Sequence, residues 1–94
     1  MKLYLQRNSP QGTGMLYYSI QIQRDLLGRW QVIREWGRLG SPGTLRQTPH
    51  DDMDKAVAQL SALKDQLMEK GYRVVMQEGL RAPRSPSQEA ESAG

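Results

Sequence analysis

Leu16-Tyr17-Tyr18-Ser19-Ile20-Gln21-Ile22-Gln23-Arg24-Asp25-Leu26-Leu27-Gly28-Arg29-Trp30-Gln31-Val32-Ile33-Arg34-Glu35-Trp36-Gly37-Arg38-Leu39 is the stretch on which the fold turns. Leu16, Tyr18, Ile20 and Ile22 alternate with Tyr17, Ser19, Gln21 and Gln23, which is the period of a strand with one buried face. Asp25-Leu26-Leu27-Gly28 has the length and the glycine of a hairpin connection. Trp30 to Leu39 is then a second run, rich in aromatic and β-branched residues. The stretch therefore predicts an antiparallel pair, and an antiparallel pair needs further layers to bury its apolar face.

Those layers are legible on either side. Residues 2–7 alternate, with Leu3 and Leu5 on one side and Lys2, Tyr4 and Gln6 on the other, and Asn8 to Gly14 is a run of turn formers. Gly40-Ser41-Pro42-Gly43 is another turn, and residues 44–48 are short enough to return as an edge strand. At Pro49 the period changes: Met53, Ala56, Val57, Leu60, Leu63 and Leu67 recur at helical spacing. Asp51 with Asp54 three residues on suggests the helix start and Gly71 its left-handed stop, giving a helix over about 51–70. Residues 72–77 read as a last short strand. The expected fold is α+β, an antiparallel sheet of four to five strands with one helix packed across it. Residues 1–78 form the domain and residues 79–94, rich in Pro, Ser, Glu and Ala, read as a disordered tail.

Composition bounds what such a domain can do. Ninety-four residues suffice for one core, and a hydrophobic fraction of 37% with four Tyr, two Trp and no Phe makes that core lean. No window approaches the about 18 apolar residues of a spanning helix, and the first residues lack the apolar run of a secretory signal. With no Cys, there is no disulfide framework, thiolate zinc site or cysteine nucleophile, and a soluble, cytoplasmic chain is expected. The net charge of +3 conceals an asymmetry. Residues 1–49 carry seven Arg or Lys against Asp25 and Glu35, whereas residues 50–78 carry four basic and six acidic groups. A positive field over the first half favours a polyanionic partner, although solubility alone would also use such charges.

Enzyme signatures are missing. His50 is the sole histidine, expected in a solvent-exposed loop ahead of the helix cap, with no cysteine to pair with it. Asp52-Met53-Asp54 has two acids of a calcium loop, but the sixth and twelfth places of that motif hold Val57 and Leu63. Gly12-Thr13-Gly14 and the triplet-spaced Gly37, Gly40 and Gly43 match neither a dinucleotide fingerprint nor a phosphate loop. The chain is expected to bind no metal, cofactor or small-molecule substrate, and not to be an enzyme.

What remains is the alternation within residues 29–40. Trp30, Val32, Arg34, Trp36 and Arg38 share one strand face, interleaving two aromatic rings with two guanidinium groups. Aromatic faces stack on sugars and bases while Arg forks hold phosphates, so this mixture suits nucleic-acid ends or single strands. The same pattern also suits plain packing, with the rings in the core and the arginines over them in cation–π contact. Gly37 inside the strand marks a bulge or a place where another backbone comes close.

Trp36-Gly37-Arg38, preceded by Arg34-Glu35 and followed by Leu39-Gly40-Ser41-Pro42-Gly43, resembles the signature of the WGR domain, in a form similar to its bacterial stand-alone branch. The resemblance covers about residues 2–78, including the order of strands, signature strand, Gly-containing turn and helix. It implies a DNA-binding module, because in the DNA-dependent poly(ADP-ribose) polymerases this domain binds a DNA break and relays that event to a catalytic domain. Ninety-four residues leave no room for such a transferase domain. By the resemblance Trp36 would stack on a sugar at a strand end, and Arg38 would contact DNA or a neighbouring domain. The expected site is thus Trp36, Gly37, Arg38 and Arg34, with Arg46 as a further phosphate contact. DNA is favoured over RNA as the partner. A protein-docking surface of the same Trp and Arg residues is the alternative.

Overall fold

The computed structural model describes residues 1–79, so the expected tail, residues 79–94, lies outside the described residues from residue 80 onward. Five strands and one helix follow in the order β1 (Lys2–Asn8), β2 (Met15–Arg24), β3 (Trp30–Arg38), β4 (Thr44–His50), α1 (Met53–Glu69) and β5 (Arg73–Glu78). The strands form one sheet in the order β4-β3-β2-β1-β5. Every neighbouring pair is antiparallel. This is the expected α+β architecture in its five-strand form.

The alternation read from the sequence becomes two chemically distinct faces. Leu3, Leu5, Ile20 and Val32 are fully buried, with Ile22 nearly so, and register places them on one face beneath the helix. The helix adds Ala56, Leu60 and Leu67 to that core, and Trp30, Val57, Leu63, Tyr72 and Val74 pack around it. Of the predicted helix stripe, Leu63 is half-buried, in contrast to Leu60. The other face of the sheet carries Tyr4, Gln6, Tyr17, Gln21, Gln31 and Glu35, the polar alternate set of antiparallel strands that face water on one side.

Three local expectations are corrected. The helix is capped by Asp52, not by Asp51: the extended residue Asp52 accepts the Lys55 N–H at 2.9 Å. Strand β4 runs on through Pro49 to His50, two residues beyond the expected end, so Asp51 falls in the connection. His50 is accordingly no loop residue. It is half-buried, pairs across the sheet with Trp30, and its Nε2 lies 2.6 Å from Gln59 Oε1 on the helix. At the far end the reading holds. Gly71 takes φ +98°, and the bonds Gly71 N–H to Met68 O and Tyr72 N–H to Leu67 O close the helix as a Schellman motif.

The β2–β3 hairpin is organised by one carboxylate. Asp25 accepts from the backbone N–H groups of Leu27 and Arg29, from Arg29 Nε and from Gln31 Nε2, all within 3.1 Å. The Gln31 bond first, then those from Arg29 and Leu27, hold its carboxyl down from the ordinary 3.8 to about 2. A depressed carboxyl contributes stability that is present above the unfolded value and is lost as pH falls through the folded one. The hairpin contribution is therefore expected to disappear between about pH 4 and pH 2. Acid titration followed by carboxyl NMR should place the Asp25 midpoint near 2, and a midpoint at 3.8 would show that the turn does not hold the carboxylate as described.

Candidate nucleic-acid interface

The path of the helix decides which part of the core face stays open. It begins just after His50, at the sheet end that holds Trp30. It finishes at Lys70, whose carbonyl accepts from Arg7 Nη1 at the opposite end of β1. The helix thus crosses the sheet diagonally and leaves bare the corner where β2, β3 and β4 carry Tyr18, Arg34, Trp36 and Arg46. Register fixes their neighbours: Trp36 stands opposite Tyr18 on one side and Thr44 on the other, and Arg34 stands opposite Arg46.

Trp36 is neither a core residue nor a free ring. It is half-buried, it stacks on Tyr18 with centroids 5.3 Å apart and planes 10° apart, and the Arg34 guanidinium lies 5.5 Å from its ring centroid. Tyr18 in turn packs on the core and meets Tyr72 edge-on at 6.2 Å. The tryptophan is consequently propped on the margin of the core, part of it turned to solvent. Trp30, which the alternation places on the same face, belongs with the core, its ring under the Arg24 guanidinium at 5.1 Å. The two tryptophans of one alternating row have different surroundings because the helix covers only one end of it.

Charge at the corner is one-sided. Arg34 and Arg46 face each other across the β3–β4 pair, an arrangement of like charges that costs a sheet stability. Among the described residues the ion pair is Arg29 with Asp25, at the distant hairpin. Arg34 donates at 3.4 Å to the Tyr18 hydroxyl, while its buried Nε has no partner among the described residues. Glu35, next in sequence, points to the other face and accepts from the Tyr17 hydroxyl at 3.1 Å. Burial first, then this bond and the carboxylate charge, raise the Tyr17 hydroxyl above its ordinary 10.0. Glu35 is therefore engaged elsewhere and leaves the corner without a carboxylate of its own strand.

The remaining residues of the expected set are placed differently. Arg38 is exposed and turns its Nη1 to the Thr13 carbonyl at 3.2 Å, along the β1–β2 turn. Gly37 lies on the opposite face from Trp36, and a Cβ there would stand 3.1 Å from Gly43 Cα. At Gly43 a Cβ would collide with the Tyr17 hydroxyl and lie 2.8 Å from the Trp36 carbonyl oxygen. The glycine of the tripeptide is thus where the β3–β4 turn folds back against the strand, as its position inside a strand suggests. Tyr18 was not among the expected site residues. Alternation assigns its face, but only the β2–β3 register sets it against Trp36.

Among the described residues no group of three or more His, Asp or Glu side chains is placed to hold a metal ion, and no helix is long and apolar enough to cross a membrane.

Comparison with known proteins adds the family. The WGR domain family matches residues 1–79. The chain is 31% identical over 72 residues to the uncharacterized protein y4dW of Sinorhizobium fredii (strain NBRC 101917 / NGR234), a match covering 77% of this chain and 35% of that protein. The chain therefore spans about a third of the length of this relative. No solved structure matches it.

Proposed function

The chain belongs to the WGR domain family, and from that premise we propose that it is a non-enzymatic nucleic-acid-binding module that takes DNA, at its ends, on the bare corner around Trp36. The observation that carries the reading is the cross-strand pair Arg34 and Arg46 beside Trp36, a concentration of positive charge with no carboxylate bonded to it among the described residues. Such a pair is unfavourable by itself and becomes favourable when a phosphate lies between the two forks. Trp36, with part of its ring exposed, supplies the stacking surface that a sugar or base at a strand end offers to an aromatic ring. Family membership supports the same reading, since WGR domains are associated with nucleic-acid binding in poly(ADP-ribose) polymerases. The family is one of binding modules.

Fluorescence anisotropy with linear duplex, closed circular duplex and single-stranded DNA, each across a salt series, tests this reading. Binding that weakens with salt and prefers free ends is expected. Arg46→Ala should lower affinity without changing sequence preference and reduce the slope of log K against log salt by about 0.7–0.9, the loss of one phosphate contact. Salt-independent binding, or none to any of the three, would overturn the proposal. An unchanged slope would remove Arg46 from the site.

A further inference from the structure

Arg34, Arg46 and Trp36 account for one corner of the sheet, yet two more arginines stand at the edge beyond it. Arg7 lies on the same cross-strand row as Arg38, with Leu16 between them. One of its Nη groups holds the Lys70 carbonyl at the helix end, and its guanidinium lies 5.7 Å from the Tyr72 ring centroid. Arg73 opens β5 opposite Gln6, on the face away from Trp36; it is exposed, and its side chain has no hydrogen bond or ion pair among the described residues. Between Arg7 and Arg73 is an open cleft of about 600 Å³, whose lining includes the amides of Gln6 and Asn8 and no carboxylate.

We propose that this cleft is a second backbone subsite, which takes the phosphates of a single-stranded extension leading away from the nucleic acid seated at Trp36. The inference rests on the reading of the Trp36 corner given above. A chain of contacts joins the two places: Arg34 over Trp36, Trp36 on Tyr18, Tyr18 against Tyr72, and Tyr72 under Arg7. The route from β3 to β5 crosses three strand spacings, about 14 Å, and then turns over the end of the sheet, because Gln6 and the Arg73 opposite it lie on the face away from Trp36. At the stacked rise of about 3.4 Å per nucleotide the lateral part alone takes about four nucleotides, and the turn over the sheet end requires more. Single-stranded nucleic acid suits the route better than duplex for two reasons. It is flexible enough to bend around the end of the sheet, and its unpaired base edges are free to meet the Gln6 and Asn8 amides, which both donate and accept. Guanidinium forks then hold the backbone, as a groove that tracks single strands requires.

Arg73→Gln separates this subsite from the Trp36 corner, because the Arg73 side chain has no hydrogen bond or ion pair among the described residues. The measurement is anisotropy with blunt duplex and with duplexes carrying about one to ten unpaired nucleotides on either strand, a range that brackets the lateral path and the turn, each over a salt series. Wild-type affinity should rise with extension length, with the gain from the cleft appearing only beyond about four nucleotides. Arg73→Gln should cancel that rise and reduce the salt slope for extended duplex by about 0.7, with blunt-duplex affinity unchanged and Arg73→Lys restoring part of the slope. Arg7→Gln should act in the same direction, with its thermal melt recorded alongside because Arg7 also caps the helix. Equal affinity for blunt and extended duplex, or a rise that Arg73→Gln leaves intact, would overturn the second subsite while leaving the Trp36 reading in place. Failure of the wild type to bind even blunt duplex would overturn both.

Discussion

Leu60→Ala is expected to destabilise the domain by about 2–5 kcal/mol, the range for truncating a buried leucine without collapse of the space it leaves. Leu60 is 5% exposed and lies in the cluster with Ile20, Ile22 and Val32, so its removal opens a void where the helix crosses the sheet. Leu63 shares the helix stripe but is half-buried, and Leu63→Ala should cost clearly less. Urea denaturation of the two variants checks the ordering. A loss below about 0.5 kcal/mol at Leu60, as at ordinary surface sites, would mean that the helix presents a different face. Since domains of this size are only marginally stable, any loss of binding in Leu60→Ala should track the unfolded fraction and be reversed by adding a stabilising osmolyte.

The contrast between Leu60 and Leu63 marks the limit of reading a helix from spacing. The 3.6-residue period identifies the stripe, but how deeply each position is buried depends on where the helix axis crosses the sheet. That crossing is set by the Gln59–His50 contact at one end and Arg7 at the other. The strands behave in the same way. Alternation in β1, β2 and β3 is enough to sort Leu3, Leu5, Ile20, Ile22 and Val32 to one face, because a period of two leaves no other assignment. Alternation is silent on pairing, so the place of β5 beside β1 and the bulge between Tyr4 and Leu5 emerge only from the assembled sheet. Capping shows a finer limit: Asp51 and Asp52 have the same chemistry, and which of them caps depends on β4 continuing to His50.

For the candidate site, the alternating row and the tripeptide bring Trp36, Arg34 and Arg38 to attention, and the structure distributes them among different tasks. Gly37 acts behind the strand, against Gly43. Arg38 leans on the β1–β2 turn. Arg46 becomes prominent through its register with Arg34. Tyr18, Tyr72 and Arg7 are far apart in sequence, and no spacing rule links them to Trp36. Their relation is a product of sheet order.

Trp36→Ala is expected to lower affinity for DNA ends by about 1–3 kcal/mol, the range for loss of one aromatic stack. The fold should lose less than when a core tryptophan is removed, which costs about 3–5 kcal/mol. The difference follows from what the ring touches: a stack on Tyr18 worth about 0.5–1.5 kcal/mol and a cation–π contact with Arg34 worth about 0.5–1 kcal/mol, with part of its surface already in water. Trp30→Ala is the internal control, since Trp30 packs on the core and should show the opposite pattern, a large loss of stability with binding impaired only through unfolding. Arg34→Lys and Arg38→Lys extend the comparison, because lysine keeps the charge but not the planar fork. Arg34, facing Arg46 beside the ring, should be the more sensitive of the two, while Arg38, held by the Thr13 carbonyl, should tolerate the change better. The measurements are thermal melts and anisotropy on the same preparations. A folded Trp36→Ala protein that binds linear duplex, circles and single strands as the wild type does would turn the corner from a nucleic-acid site into a protein-docking surface, because Trp and Arg anchors are equally the stock of protein interfaces.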